Sequence, residues 1–160
     1  MFNTEKIESI KEILLSRKEK LSVAESVTSG FLQAAISEAA LALQFFEGGI
    51  TTYNINQKVR HLKVDRKHAE ECNCVSELTA NQMAIGVCNL FGTHWGIATT
   101  GYASAVPESG NKLFAFFSIS CRGEIKLIQK VDLKDEKPEE AQIKYVNIIL
   151  EKFLQLLNQE

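Results

Sequence analysis

Two runs rich in aromatic and β-branched residues, residues 112–121 (KLFAFFSISC) and 124–133 (EIKLIQKVDL), are separated by Arg122 and Gly123 alone. So short a connection forces an antiparallel hairpin. Everywhere else, strand-like runs alternate with helical ones. A hairpin set among such interleaved elements predicts an α/β fold, a three-layer α/β/α sandwich built on a mixed sheet.

The remaining elements follow from periodicity. Ile7, Ile10, Leu14 and Leu15 predict an amphipathic helix over 4–20, capped by Asn3 or Thr4. LSVAES (21–26) reads as a short strand. Residues 28–40 place Phe31, Leu32, Ala35 and Ile36 on one helical face, with Thr28 or Ser29 as cap. In FFEGGITTYN the glycine pair reads as a turn feeding a strand that ends near Tyr53 and Asn54. NQKVRHLK follows as a short helix, then a polar loop. Ser76 caps a helix carrying Leu78, Met83, Val87 and Leu90, and WGIATTG reads as a buried strand. Pro138 suits the first turn of a closing helix, whose apolar stripe runs from Ala141 through Tyr145, Ile149 and Phe153 to Leu157.

At 160 residues one domain is expected, spanning 1–160, with no repeat or linker inside it. An apolar fraction of 45% and a net charge of -2 carry no polybasic footprint, so nucleic acid is not an expected partner. MFNTEKIESIKEILL mixes charges with apolar residues, unlike a signal peptide or a membrane span, and a cytoplasmic location without membrane association is the expectation. Cys72, Cys74, Cys88 and Cys121 form no CxxC pair. Neither a disulfide nor a metal site is expected from them, and no cofactor is implied.

Ser26 falls where the first strand gives way to a helix, a place where free helical amides favour negative charge. It is also an ordinary place for a helix cap. A nucleophilic serine needs a base. His61, His68 and His94 offer no legible triad, whereas Lys58 follows the strand that ends at ITTY, near the sheet edge where ligands gather in α/β folds. A lysine serves as base where burial lowers its pKa.

Beside these residues stands a resemblance. Residues 24–30, AESVTSG, agree at five of seven positions with the AESCTGG signature of the CinA C-terminal domain family, which includes nicotinamide mononucleotide deamidases. Phe46, Gly49, Ile50, Thr51, Thr52, Tyr53, Asn54 and Lys58 follow its FxxGxVTYSNxxK segment. Val75, Ser76, Met83 and Ala84 follow its VSxxxxxxMA segment, and Thr100 and Gly101 its next loop. The segments lie in the family's order along nearly the whole chain.

The resemblance implies an amidohydrolase that converts nicotinamide mononucleotide to nicotinate mononucleotide and ammonia, with Ser26 as nucleophile, Lys58 as proton acceptor and Tyr53 orienting. Thr28, Ser29, Gly30, Asn54, Thr100, Gly101 and Lys112 are the implied substrate-binding positions. The partner implied is a pyridine nucleotide, and self-association into a homo-oligomer is expected because relatives associate. Departures cluster at the substrate end. The family's GIAGPxGG loop reads GYASAVPESGN here, and the arginine that follows its GDR segment has no counterpart in LKDEKPEEAQ. These changes leave a second reading open, a module that has lost the reaction and binds a nucleotide-like ligand or a protein partner.

Overall fold

The computed structural model describes residues 1–160. Five strands form one sheet in the order β2-β1-β3-β4-β5. β1 (Leu21–Glu25) pairs in parallel with β2 (Phe46–Thr51) and β3 (Trp95–Gly101), while β4 (Leu113–Cys121) and β5 (Glu124–Leu133) continue the sheet antiparallel. The sheet is mixed, as the hairpin requires. Arg122 and Gly123 make its turn with φ of 51° and 83°, the left-handed pair of a two-residue hairpin.

Helices cover both faces. α1 (Thr4–Arg17), α2 (Phe31–Ser37) and α6 (Pro138–Gln159) share a core with one side of the sheet, built on Ile10, Leu14, Leu32, Trp95, Phe117 and Phe153. α3 (Ile55–Leu62), α4 (Arg66–Glu71) and α5 (Glu77–Phe91) enclose a smaller core around Leu62, Met83, Val87 and Ala98. α3 and α5 meet closely because Gly86 has no side chain, and a Cβ there would lie 2.3 Å from the Leu62 carbonyl oxygen. That contact seats the helix bearing Lys58.

The structure departs from the sequence reading at several boundaries. α1 stops at Arg17 because Lys18 turns left-handed and its N–H caps Leu14 and Leu15. α2 begins at Phe31 instead of near 28, since Ser29 (φ 49°) and Gly30 (φ 101°) are left-handed and cannot belong to a helix. Neither Thr28 nor Ser29 caps it. Gly48 and Gly49 lie inside β2 instead of in a turn before it, and β2 ends at Thr51, ahead of Tyr53 and Asn54. The stretch read as a polar loop contains α4, whose N-cap Asp65 accepts from the His68 N–H.

Candidate functional site

β1, β2 and β3 run in parallel, so their carboxyl ends share one edge of the sheet, and a cleft of about 840 Å³ opens there. Ser26 leaves β1 directly into this cleft. On the β2 side, the Thr52 N–H donates to Glu25 O at 2.8 Å, which holds the start of the next connection beside the end of β1. Asn54 then caps α3 by accepting from Gln57 N–H at 3.1 Å. The first turns of α3 therefore deliver Lys58 to Ser26 across 32 residues of sequence, and Lys58 Nζ lies 3.0 Å from Ser26 Oγ.

Lys58 is 1% exposed. Its amine donates to two neutral oxygens, Ser26 Oγ and, at 2.7 Å, Thr52 O. Burial pulls its pKa below the usual lysine range, opposed by a smaller Coulombic attraction to Cys74 in its thiolate form. Burial in turn pushes the Cys74 thiol up. Cys74 borders the cleft at the end of a strained segment, Asn73 and Cys74 both having positive φ. Its carbonyl accepts from Thr100 Oγ1 at 2.6 Å, tying that segment to the end of β3.

Glu25 organises the turn after β1. Fully buried, its carboxylate accepts from Thr28 Oγ1 at 2.6 Å, Leu32 N–H at 2.7 Å and Gln33 N–H at 3.0 Å. It is this carboxylate, seven residues upstream, that caps α2 where no local side chain does. Thr28 Oγ1 also lies 2.9 Å from Thr99 Oγ1, and Ser26 N–H donates to the same hydroxyl. Within the turn, Ser29 N–H returns to Ser26 O, while the N–H groups of Val27, Thr28 and Gly30 have no acceptor in the chain. Of these three residues only Val27 borders the cleft, and its amide suits a developing oxyanion.

Ser26, Lys58, Tyr53, Ser29, Asn54, Thr100 and Gly101 all border the cleft. Tyr53 stands 76% exposed at its edge. Thr28 does not reach the cleft because its side chain is spent on Glu25 and Thr99, and Gly30 lies behind the turn as N-cap of α2. Lys112 is exposed at the start of β4, outside the cleft. Periodicity gave no sign of Cys74, Tyr102 or Gln142, which also border it. The histidines lie elsewhere: His61 faces Gln57, His68 faces Ser76, and His94 accepts from Lys20 N–H.

A family model described as the CinA C-terminal domain matches residues 3–157. The chain belongs to the CinA C-terminal domain family. It is 43% identical over 91 residues to a CinA-like protein of Synechocystis, covering 57% of this chain and 22% of that protein. A CinA-like protein of Nostoc punctiforme is 37% identical over 101 residues, covering 63% of this chain and 24% of the relative. The chain thus spans about a quarter of the length of these relatives. Among solved structures, a CinA superfamily protein from Klebsiella pneumoniae superposes with a TM-score of 0.92 at 27% identity, covering 99% of both chains. A CinA superfamily protein from Escherichia coli gives 0.89 at 25% identity, over 96% of this chain and 89% of that one. The mixed five-stranded α/β fold is therefore the family's own, and no helix of this chain is long and apolar enough to cross a membrane.

Proposed function

We propose that this member of the CinA family is an amidohydrolase that deamidates nicotinamide mononucleotide through a Ser26–Lys58 pair. The observation that carries the reading is the 3.0 Å approach of a buried lysine amine to the hydroxyl of a serine at the mouth of the cleft. A protonated lysine cannot accept the serine proton, and burial with no carboxylate beside it favours the neutral amine.

In the reaction, neutral Lys58 Nζ takes the Ser26 hydroxyl proton as Oγ attacks the carboxamide carbon. The oxygen of the tetrahedral intermediate draws on the free amide of Val27, which borders the cleft. The C–N bond then breaks, Lys58 returns its proton to the leaving nitrogen, and ammonia departs from an ester on Ser26. Water attacks that ester, Lys58 takes the water proton, and the proton passes back to Ser26 Oγ as the nicotinate product leaves. Tyr53 borders the cleft without a hydrogen bond to Ser26 or Lys58, and we assign it to holding the substrate ring, since an aromatic face attracts a pyridinium cation.

The test is ammonia release from nicotinamide mononucleotide by the purified protein beside Ser26→Ala and Lys58→Ala. Activity should fall at least about 1,000-fold in Ser26→Ala and nearly as far in Lys58→Ala. The wild-type rate should rise with pH through the Lys58 titration, at lower pH than a free lysine would give. Full activity in Ser26→Ala would dismiss the pair, and turnover of nicotinamide riboside alone would move the specificity away from the mononucleotide.

A further inference from the structure

The turn that carries Ser26 must keep one geometry if its serine is to stay aligned with Lys58 and with the Val27 amide, and its own hydrogen bond does not ensure this. Ser29 N–H closes the turn on Ser26 O at 3.1 Å, which leaves the central peptide, Val27–Thr28, as the group whose rotation separates a type I from a type II turn. Thr28 keeps a negative φ, the type I sense. A side chain from the far end of the chain grips that peptide. Gln142 Nε2 donates to Val27 O at 2.9 Å. Because the peptide group is planar and trans, fixing its carbonyl also fixes the opposite direction of the Thr28 N–H, one of the amides without an acceptor in the chain.

Gln142 lies in the second turn of α6 and borders the cleft. Three residues on, and so on the same helical face, buried Tyr145 donates its hydroxyl to Tyr102 O at 2.9 Å. One face of α6 therefore ties down two separate loops of the cleft, the one after β1 and the one after β3.

We propose that Gln142 is a positioning residue for the reaction, holding the Val27–Thr28 peptide in the orientation that attack by Ser26 requires; this rests on the Ser26–Lys58 reading. It acts through the turn, so removing it should slow the chemical step and leave substrate binding nearly unchanged.

The experiment compares ammonia release by wild type, Gln142→Met, Gln142→Glu and Ser26→Ala, with thermal midpoints for each. Gln142→Met keeps the length and loses the donor. Its kcat should fall on the order of 10- to 100-fold with KM changed by less than about twofold. In Gln142→Glu a protonated carboxyl donates to Val27 O and a carboxylate does not, so its activity relative to wild type should climb as pH falls from about 8 to about 5. This ratio decides the matter even where Gln142→Met proves unstable, since it follows a different variant against wild type across pH. An unchanged kcat, a loss seen only as a raised KM, or a flat Gln142→Glu ratio would overturn the assignment. A wild type without turnover, or an active Ser26→Ala, would remove the reading and the assignment together; an inactive Ser26→Ala beside a full-rate Gln142→Met would remove the assignment alone.

Discussion

Glu25 and Lys58 stand on either side of Ser26, both buried and both ionisable, yet their surroundings are opposite. Glu25 has donors for its charge: a hydroxyl and two helical amides converge on its carboxylate within 3.0 Å. Lys58 has two neutral acceptors, and no carboxylate of the chain forms an ion pair with it. A buried charge with well-placed partners organises structure, whereas one with few partners has its charged form disfavoured and is ready to exchange a proton. The same contrast extends to their neighbours. Around Glu25 the Thr28 hydroxyl meets two oxygens, while beside Lys58 the buried Thr52 hydroxyl meets none.

The largest effect should come from removing the organising charge. Glu25→Ala strips the acceptor from three donors at once and uncaps α2, for an expected loss of about 3–5 kcal/mol. Urea unfolding of this variant beside Ser26→Ala measures it, since Ser26→Ala changes the neighbouring side chain without touching the cap. Glu25→Gln keeps the shape and one good acceptor, and should fall between the two. A Glu25→Ala protein as stable as wild type would break the comparison at its firmer end.

Much of this arrangement was legible in the residues. The hairpin at Arg122–Gly123 required an antiparallel pair within a mixed sheet, and the strand-to-helix changes of period placed Ser26 at the end of one strand and Lys58 just beyond another, near a sheet edge. The start of α2 was not legible. A serine and a threonine just ahead of an apolar stripe are the usual signature of a cap, but here Ser29 and Gly30 turn left-handed and the cap is Glu25, from the other side of the turn. α4 escaped for a different reason: RKHAEE is six residues with a single buried side chain, too short to show a period. Gln142 and Cys74 reach the cleft through tertiary packing alone. No spacing in the sequence announces a glutamine on the last helix that meets Val27, 115 residues away.

The second effect is smaller and depends on pH. Lys58→Met removes an amine whose charged form the fold disfavours, but it also takes a donor from Thr52 O, so the net change near neutral pH should stay within about 2 kcal/mol either way. The pH trend is the sharper readout. The folded-state pKa of Lys58 lies below its unfolded value. Between the two, the unfolded chain binds more protons, so wild-type stability rises with pH. Below the folded pKa the penalty on the charge is fully present. Lys58→Met lacks this titration, and its stability relative to wild type should be highest at the acid end of that window and decline toward about pH 10. Denaturation midpoints of both proteins across the alkaline range measure it. A constant difference would mean that the amine pays no penalty for burial, and the contrast with Glu25 would collapse.

The smallest effect tests the same contrast at a neutral group. Thr52 is fully buried, its N–H donates to Glu25 O and its carbonyl accepts from Lys58, but its hydroxyl oxygen has no partner. Thr52→Val keeps the β-branched shape and both backbone bonds while deleting the unpaired hydroxyl. An unmade buried hydrogen bond is costly, so the exchange should be neutral or stabilise by about 0.5–1 kcal/mol, and the Lys58 amine should keep its place against Thr52 O. The corresponding exchange on the other side, Thr28→Val, removes a hydroxyl that bonds both Glu25 and Thr99, and should cost about 1–2 kcal/mol. Two chemically identical substitutions with opposite signs, measured by thermal unfolding, would show that the satisfaction of polar groups separates the two sides of Ser26. Equal losses from both would show that the hydroxyl beside Lys58 is partnered as well, and would leave the lysine's lack of a counter-charge as the only difference between them.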